Sequence, residues 1–184
     1  MIPMQLFASL YPYGGWDAWG SWNVKARFLF LGGTEWSRMF DPLLWRSQIL
    51  YPFLLPLMNV WFWCFGAQPT YAVPMAMTCV IPLIAAGMLY AGLRAFSKSP
   101  LAILAPVWVF SNMFVIQLSG SQYSDLLVGM FLLIAIVLWL LFQRSKDPGL
   151  LALMGIALGM LAFTKVEGTS LAVGKVVRAK GYES

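Results

Sequence analysis

Long runs without a charged residue divide the chain. Asp, Glu, Lys and Arg are absent from residues 47–93, 99–124, 126–143 and 148–164. A membrane-spanning helix needs about 20 mostly apolar residues, and the first run is too long for one helix. Gly66-Ala67-Gln68-Pro69 divides this run, because Gly and Pro end helices. The pattern therefore predicts spanning helices over residues 70–96, 101–118, 124–142 and 150–166.

Two further helices are predicted before the first span. Residues 49–65 are barely long enough to span a bilayer and carry two prolines and a Trp61-Phe62-Trp63 cluster. An interfacial or a re-entrant helix is therefore an alternative to a spanning one, and the interfacial helix is preferred. Upstream, apolar residues recur at the spacing of one helix face: Trp16, Trp19, Trp22, Ala26 and Phe30. A Trp-rich face fits the headgroup region, because the indole ring is apolar while its N–H stays wet.

Basic residues predict the orientation of the helices. The loops after the first and third predicted spans carry Arg94, Lys98, Arg144 and Lys146. The positive-inside rule makes these loops cytoplasmic. The turn at residues 119–122 and the first 68 residues then lie outside. Residues 1–68 are therefore predicted to form an external loop with two interfacial amphipathic helices.

The two ends of the chain predict a fragment. The first ten residues are too short to span and lack the basic region of a signal peptide. Either the orientation is therefore inverted, or an N-terminal signal-anchor helix is missing from this sequence. After the fourth span a fifth helix is expected to begin within residues 69–173, and residues 174–184 form a polar tail. We therefore expect an all-α integral membrane protein that is part of a longer one.

Composition strengthens this picture. Hydrophobic residues make up 60% of the chain and charged residues 10%, a balance that excludes an ordinary water-soluble domain. The chain has no His, which removes the commonest general base and metal ligand. The net charge of +5 is scattered between apolar runs, so nucleic acid is not an expected partner. Cys64 and Cys79 lie in apolar runs without a metal-ligand spacing.

Three charged residues near the N-terminus are candidates for chemistry. Asp17 lies in the first turn of the Trp-rich helix, off the aromatic stripe, where a carboxylate commonly interacts with the helix macrodipole. Lys25 and Arg27 follow the stripe. Their simplest role is attraction to anionic headgroups.

Three further charged residues lie at the ends of predicted spans. Asp125 begins a span, where a carboxylate is either part of an N-terminal cap after Ser124 or a functional group. Lys165 and Glu167 lie where an apolar run ends, which fits a snorkelling Lys and a helix-end acid. Residues two apart do not face each other on a helix, so they are not a simple surface pair.

Several short blocks occur in a recognisable order. They are GWDAW at 15–19, WNVKAR at 22–27, YPFLLP at 51–56, SQYSDLL at 121–127 and FTKVEG at 163–168. This ordered set resembles the N-terminal third of GT-C-type membrane glycosyltransferases. The likeness is to the bacterial branch related to protein mannosyltransferases and aminoarabinose transferases. Ala18 stands where many members of that family have a second acid.

The resemblance implies a GT-C-like helix bundle that transfers a sugar from a polyprenyl-phosphate carrier. The acceptor would be a lipid, a glycan or a protein, on the outer side of the bacterial cytoplasmic membrane. The polyprenyl-phosphate-linked sugar is then the donor substrate, membrane lipid is a partner, and a divalent cation is a candidate cofactor.

The resemblance also implies roles for the charged residues. Asp17 becomes the general base that takes the proton of the acceptor hydroxyl. Lys165, with Lys25 and Arg27, becomes a contact for the donor phosphate, for which a compact ammonium suffices. Asp125 and Glu167 become acceptor-site or metal-site residues.

Two other classes of protein remain open. A transporter or flippase subunit predicts charged residues inside the spans, facing a polar pathway, and the predicted spans are uncharged to their ends. A non-catalytic membrane scaffold predicts a merely structural Asp17.

Overall fold

The chain is all-helical over the residues that the computed structural model describes, which are 10–170 without the side chains of 45–47. The α-helices are α1 (Asn23–Leu31), α2 (Leu54–Gly66), α3 (Ala72–Phe96), α4 (Leu104–Phe110), α5 (Met113–Gly120), α6 (Asp125–Ser145) and α7 (Pro148–Thr164). A π-helical segment, Ala18–Trp22, leads directly into α1, and 3-10 helices occupy Gly33–Phe40, Pro42–Ser47 and Pro100–Ile103. Residues 166–170 are also helical. The predicted fifth helix beyond residue 170 and the tail at 174–184 lie outside the described residues.

Two of these helices, α3 and α6, are long and apolar enough to cross a membrane. The segment that was predicted as one span over 101–118 is bent by 61° between α4 and α5 and counts as a third span only if the two are joined. The Asn112 side chain accepts a hydrogen bond from the Phe114 N–H at 2.9 Å and so starts a new helix there. The helices therefore provide two or three candidate spans instead of the predicted four.

The last predicted span also differs. Helix α7 is apolar but shorter than a typical span, and it ends at Thr164 because Lys165 has an extended backbone, with φ −155° and ψ 152°. Its start is built from the sequence Asp147-Pro148-Gly149: the Asp147 carboxylate accepts the Gly149 N–H at 2.8 Å, and Pro148 occupies the first turn. Lys165 is thereby placed in a break between two helices instead of within a span.

Helices α3 and α6 pack closely at Gly92. A Cβ at this position would lie 2.7 Å from Val137 Cγ2. Val is stiff at χ1, so it cannot simply turn aside. The small residue therefore sets the distance between the two candidate spans.

We expect Gly92→Val to destabilise the bundle by about 1–3 kcal/mol, the usual cost of overpacking. Gly87→Val is the matched control, because Gly87 is on the same helix and a Cβ there meets no atom within 4 Å. Unfolding of both variants in detergent is the measurement. Equal losses of stability would contradict the close packing.

The bundle has two chemically different ends. At one end Arg144 Nη1 donates to the Ala95 carbonyl at 2.7 Å, so the end of α3 with Arg94 lies beside the end of α6 with Arg144. Lys98 and Lys146 follow these two helix ends. At the other end the Gly15 N–H donates to the Ser121 carbonyl at 2.9 Å. Residues 11–15 therefore lie against the turn at 119–122, at the end where α3 and α6 begin.

The predicted aromatic stripe does not form one face. Trp16 is 52% exposed, whereas Trp22 is 1% exposed and packs in a core with residues of α2, α3 and α6. A π-helical turn holds an extra residue and so rotates the helix after it relative to the chain before it. The π-helical segment Ala18–Trp22 thus separates an exposed aromatic pair, Trp16 and Trp19, from the buried Trp22. The prediction of a single interfacial face is wrong here.

Candidate functional site

Three charged residues from two parts of the chain meet at the end where α6 begins. Lys165 Nζ lies 2.9 Å from Asp125 Oδ1 and 3.9 Å from Glu167 Oε1. The Lys165 side chain is 14% exposed. The break after α7 makes this possible, because its extended backbone lets Lys165 and Glu167 approach each other although they are only two residues apart. Asp125 is therefore the ion-pair partner of Lys165.

Tyr51 adds a phenol to this cluster. Its hydroxyl donates to Glu167 Oε1 at 3.3 Å, and the Lys165 ammonium lies 5.8 Å from the centre of its ring. Trp22 holds the Tyr51 side chain in place, because the two rings stack with their centres 5.3 Å apart. The sequence pattern indicates no role for the Tyr51-Pro52 segment beyond chain direction. In the sequence, Tyr51 is singled out only by its position in the ordered block YPFLLP at residues 51–56.

The charges of the cluster act on each other. Burial raises the pKa of the Tyr51 phenol, and the carboxylates of Glu167 and Asp17 raise it further against the opposing effect of Lys165. Burial lowers the pKa of Lys165, but the hydrogen bond to Asp125 and the charges of Asp125 and Glu167 outweigh this and raise it overall. Lys165 is accordingly a permanent cation at neutral pH.

Asp17 lies within electrostatic reach of this cluster. It precedes the π-helical segment but makes no side-chain capping hydrogen bond, and it is half-buried. Its carboxylate contributes to the raised pKa of the Tyr51 phenol. The structure thus brings Asp17, Tyr51, Asp125, Lys165 and Glu167 to one end of the bundle, and we call these five residues the Lys165 cluster.

The charged group of Lys25 binds main-chain carbonyls, one of which belongs to Tyr51. Its side chain is buried, and Nζ donates to the carbonyls of Gln48 at 2.6 Å and Tyr51 at 3.0 Å. The ammonium also lies over the ring of Phe53, 5.3 Å from its centre. The prediction that Lys25 contacts a donor phosphate or headgroups is therefore wrong, because both carbonyls hold the ammonium inside the protein. Lys25 instead fixes the loop that carries Tyr51.

Burial lowers the pKa of Lys25 from 10.5 to about 8. Between these two values the unfolded chain binds a proton that the folded chain has released, so stability rises with pH in this window. Relative to Lys25→Met, the wild-type free energy of unfolding should rise by at most about 3 kcal/mol between pH 8 and 10.5. Chemical unfolding in detergent at several pH values measures the difference.

Lys98→Met is the control for this titration, since Lys98 is exposed at the other end of the bundle. Its pH profile should run parallel to that of the wild type. A parallel profile for Lys25→Met as well would contradict the assignment.

Arg27 lies apart from the Lys165 cluster. It is exposed, its guanidinium lies 4.9 Å from the centre of the Tyr71 ring, and it donates a hydrogen bond to the Tyr71 hydroxyl. No contact between Arg27 and the cluster is present among the described residues. The predicted phosphate contact of Arg27 therefore has no geometric support, whereas its exposure leaves headgroup attraction open.

A buried chain of amides connects the N-terminal segment to the bundle. Asn59 donates to Asn23 at 3.1 Å, Asn23 donates to Gln122 at 3.0 Å, and Gln122 donates to the Pro12 carbonyl at 3.1 Å. These three side chains are buried, and each joins a different part of the chain. They could not be singled out from the sequence, because isolated amides have no periodic signal. The chain of amides positions the segment that contains Asp17.

Metal-ligating side chains are not clustered in the described part of the chain. No group of three or more His, Cys, Asp or Glu side chains comes together within residues 10–170. Asp125 and Glu167, which the resemblance offered as metal ligands, instead share the Lys165 ammonium. Both carboxylates are therefore paired with a cation of the chain itself.

The geometry describes an ion-paired and hydrogen-bonding site at the end of an apolar bundle, with the Lys165 ammonium among carboxylates. Sequence and structure comparisons add no family to this description: no family model, no curated protein and no solved structure matches the chain.

Proposed function

We propose that the chain carries the reacting end of a polyprenyl-phosphate-sugar-dependent glycosyltransferase. The observation that supports this most is the Lys165 ammonium, which Asp125 holds at 2.9 Å beside Tyr51, a phenol whose pKa the Asp17 carboxylate also raises. A cation and a carboxylate without a capping partner are what a lipid-linked phosphate donor and a hydroxyl acceptor require.

The position of Lys165 suits a lipid-linked phosphate. Lys165 follows the apolar helix α7 directly, so its ammonium lies at a helix end where a spanning or interfacial protein meets the headgroups. A polyprenyl phosphate places its phosphate at this depth while its tail remains in the hydrocarbon. Asp125 keeps the ammonium pointed at the site and Tyr51 covers it from one side.

In the proposed reaction Asp17 takes the proton of an acceptor hydroxyl. The acceptor oxygen forms a bond to the anomeric carbon of the sugar, the bond from that carbon to the phosphate oxygen breaks, and the configuration inverts. The polyprenyl phosphate leaves with the bonding electrons, and Lys165 stabilises its negative charge. The acceptor is a lipid, glycan or protein on the outer side of the bacterial cytoplasmic membrane.

Reconstitution of the chain in liposomes tests this function. Polyprenyl phosphates that carry radiolabelled hexoses or pentoses are added, and bound donor, transferred sugar and translocated donor are measured separately. Binding with transfer of label to an acceptor is the expected result. Translocation without bond cleavage would indicate a flippase subunit, and absence of donor binding would favour a scaffold; either outcome contradicts the proposal.

A further inference from the structure

Glu167 is held more loosely than Asp125 in the Lys165 cluster. Its Oε1 atom accepts the Tyr51 hydroxyl at 3.3 Å and lies 3.9 Å from Lys165 Nζ. Both distances exceed the 2.9 Å contact between Lys165 and Asp125. The Glu167 side chain is 59% exposed, whereas that of Lys165 is 14% exposed. One exposed carboxylate oxygen therefore lies between two donors that are themselves well fixed.

Contacts with other residues hold the two donors, Tyr51 and Lys165, in place. Tyr51 is held by its stacking on Trp22 and by the Lys25 hydrogen bond to its carbonyl. Lys165 is held by Asp125. Removing Glu167 from its position would therefore leave a phenolic O–H and an ammonium aimed at the same point. A phosphate oxygen is an acceptor of the same kind as a carboxylate oxygen and binds such charge-assisted donors strongly.

We propose that Glu167 is a displaceable carboxylate that occupies the anion position of Tyr51 and Lys165 until a ligand phosphate takes its place. Tyr51 is then a second phosphate-binding residue, and Glu167 keeps both donors paired and weakens binding of any anion that cannot displace it. This inference rests on the proposed function, in which Lys165 binds a lipid-linked phosphate. The chemistry itself requires only a phosphate anion, either free or attached to a lipid.

The test uses the full chain in detergent micelles. Binding of farnesyl phosphate, inorganic phosphate and phosphatidylglycerol is measured for the wild type and for Glu167→Gln. Loss of the competing carboxylate should tighten farnesyl phosphate binding by about threefold to fivefold, the effect of one exposed charge pair. Glu35→Gln is the control: it removes the same charge from an exposed pair with Arg38.

Tyr51→Phe should weaken farnesyl phosphate binding by about tenfold, because one hydrogen bond to a charged group is lost. Tyr90→Phe, an exposed tyrosine on α3, should leave it unchanged. If Tyr51→Phe does not elute as a folded protein, the farnesyl phosphate binding of Glu167→Gln alone tests the proposal. Glu167 is exposed, so its replacement leaves the packing intact.

The outcomes separate the two proposals. Binding by Glu167→Gln that is weaker than wild type, or equal to that of Glu35→Gln, would overturn the displaceable carboxylate. If farnesyl phosphate binding persists in that case and still needs Lys165, the proposed function stands. Absence of farnesyl phosphate binding in all variants would overturn both. If Glu167→Gln binds inorganic phosphate more tightly by the same factor, the displacement is supported and the natural ligand is a free anion. If it binds phosphatidylglycerol more tightly, the natural ligand is a phospholipid headgroup.

Discussion

Replacement of Asp17 by Asn should lower the rate of sugar transfer by about 10²–10⁴-fold, the usual contribution of a general base. Asn has the shape of Asp but cannot take a proton from the acceptor. The donor phosphate is proposed to contact Lys165 instead of Asp17, so the affinity for the donor should change little. A loss in turnover with unchanged donor binding is the signature of a group that acts only in the transition state.

Asp41→Asn is the matched control for this variant. Asp41 accepts a hydrogen bond from the Leu43 N–H at 2.8 Å, and Asn caps helices as well as Asp does. This control removes one negative charge from the same N-terminal part of the chain without touching the cluster. Transfer by Asp17→Asn at the rate of Asp41→Asn would rule out a catalytic Asp17 and favour the structural carboxylate.

Replacement of Lys165 by Met should weaken binding of a polyprenyl-phosphate donor by about tenfold to 100-fold. This is the loss expected when one charged hydrogen-bond donor of a partly buried phosphate contact is removed. The methionine keeps the apolar stem, so packing beside Tyr51 is retained. Equilibrium binding in nanodiscs measures the effect.

Lys146→Met provides the comparison for Lys165→Met. Lys146 is exposed at the opposite end of the bundle, where it donates to Gln143 at 3.2 Å. Its loss removes the same charge and should leave donor affinity unchanged. Equal weakening in both variants would show that the donor responds to overall charge instead of the Lys165 site.

The positions of apolar helices were largely predictable from charge gaps. The break at residues 66–69 was predicted from Gly and Pro, and α2 does end at Gly66 with Ala67 in the left-handed region. The bend between α4 and α5 was not predicted, because Ser111 and Asn112 interrupt the run without a charge. A polar pair can start a new helix through side-chain capping, which a count of charges does not detect.

The site was predictable only in part. Asp125 and Lys165 were both singled out, yet their pairing joins residues 40 positions apart and has no local signal. Lys25 is buried on the helix that follows the π-helical segment, and the extra residue of such a segment rotates the following side chains in a way that a regular helical spacing does not predict. Tyr51 was missed because its importance comes from the loop that Lys25 holds against Trp22.

The location of the carrier phosphate is the most direct test of a phosphate site at the Lys165 cluster. A polyprenyl phosphate with a photoreactive diazirine beside its phosphate can be crosslinked to the chain in nanodiscs, and the labelled peptides identified by mass spectrometry. We predict labelling of peptides that contain Tyr51 and Lys165, suppressed by excess unlabelled polyprenyl phosphate. Labelling concentrated at the Arg94 and Arg144 end, or not suppressed by competitor, would contradict a phosphate site at this cluster.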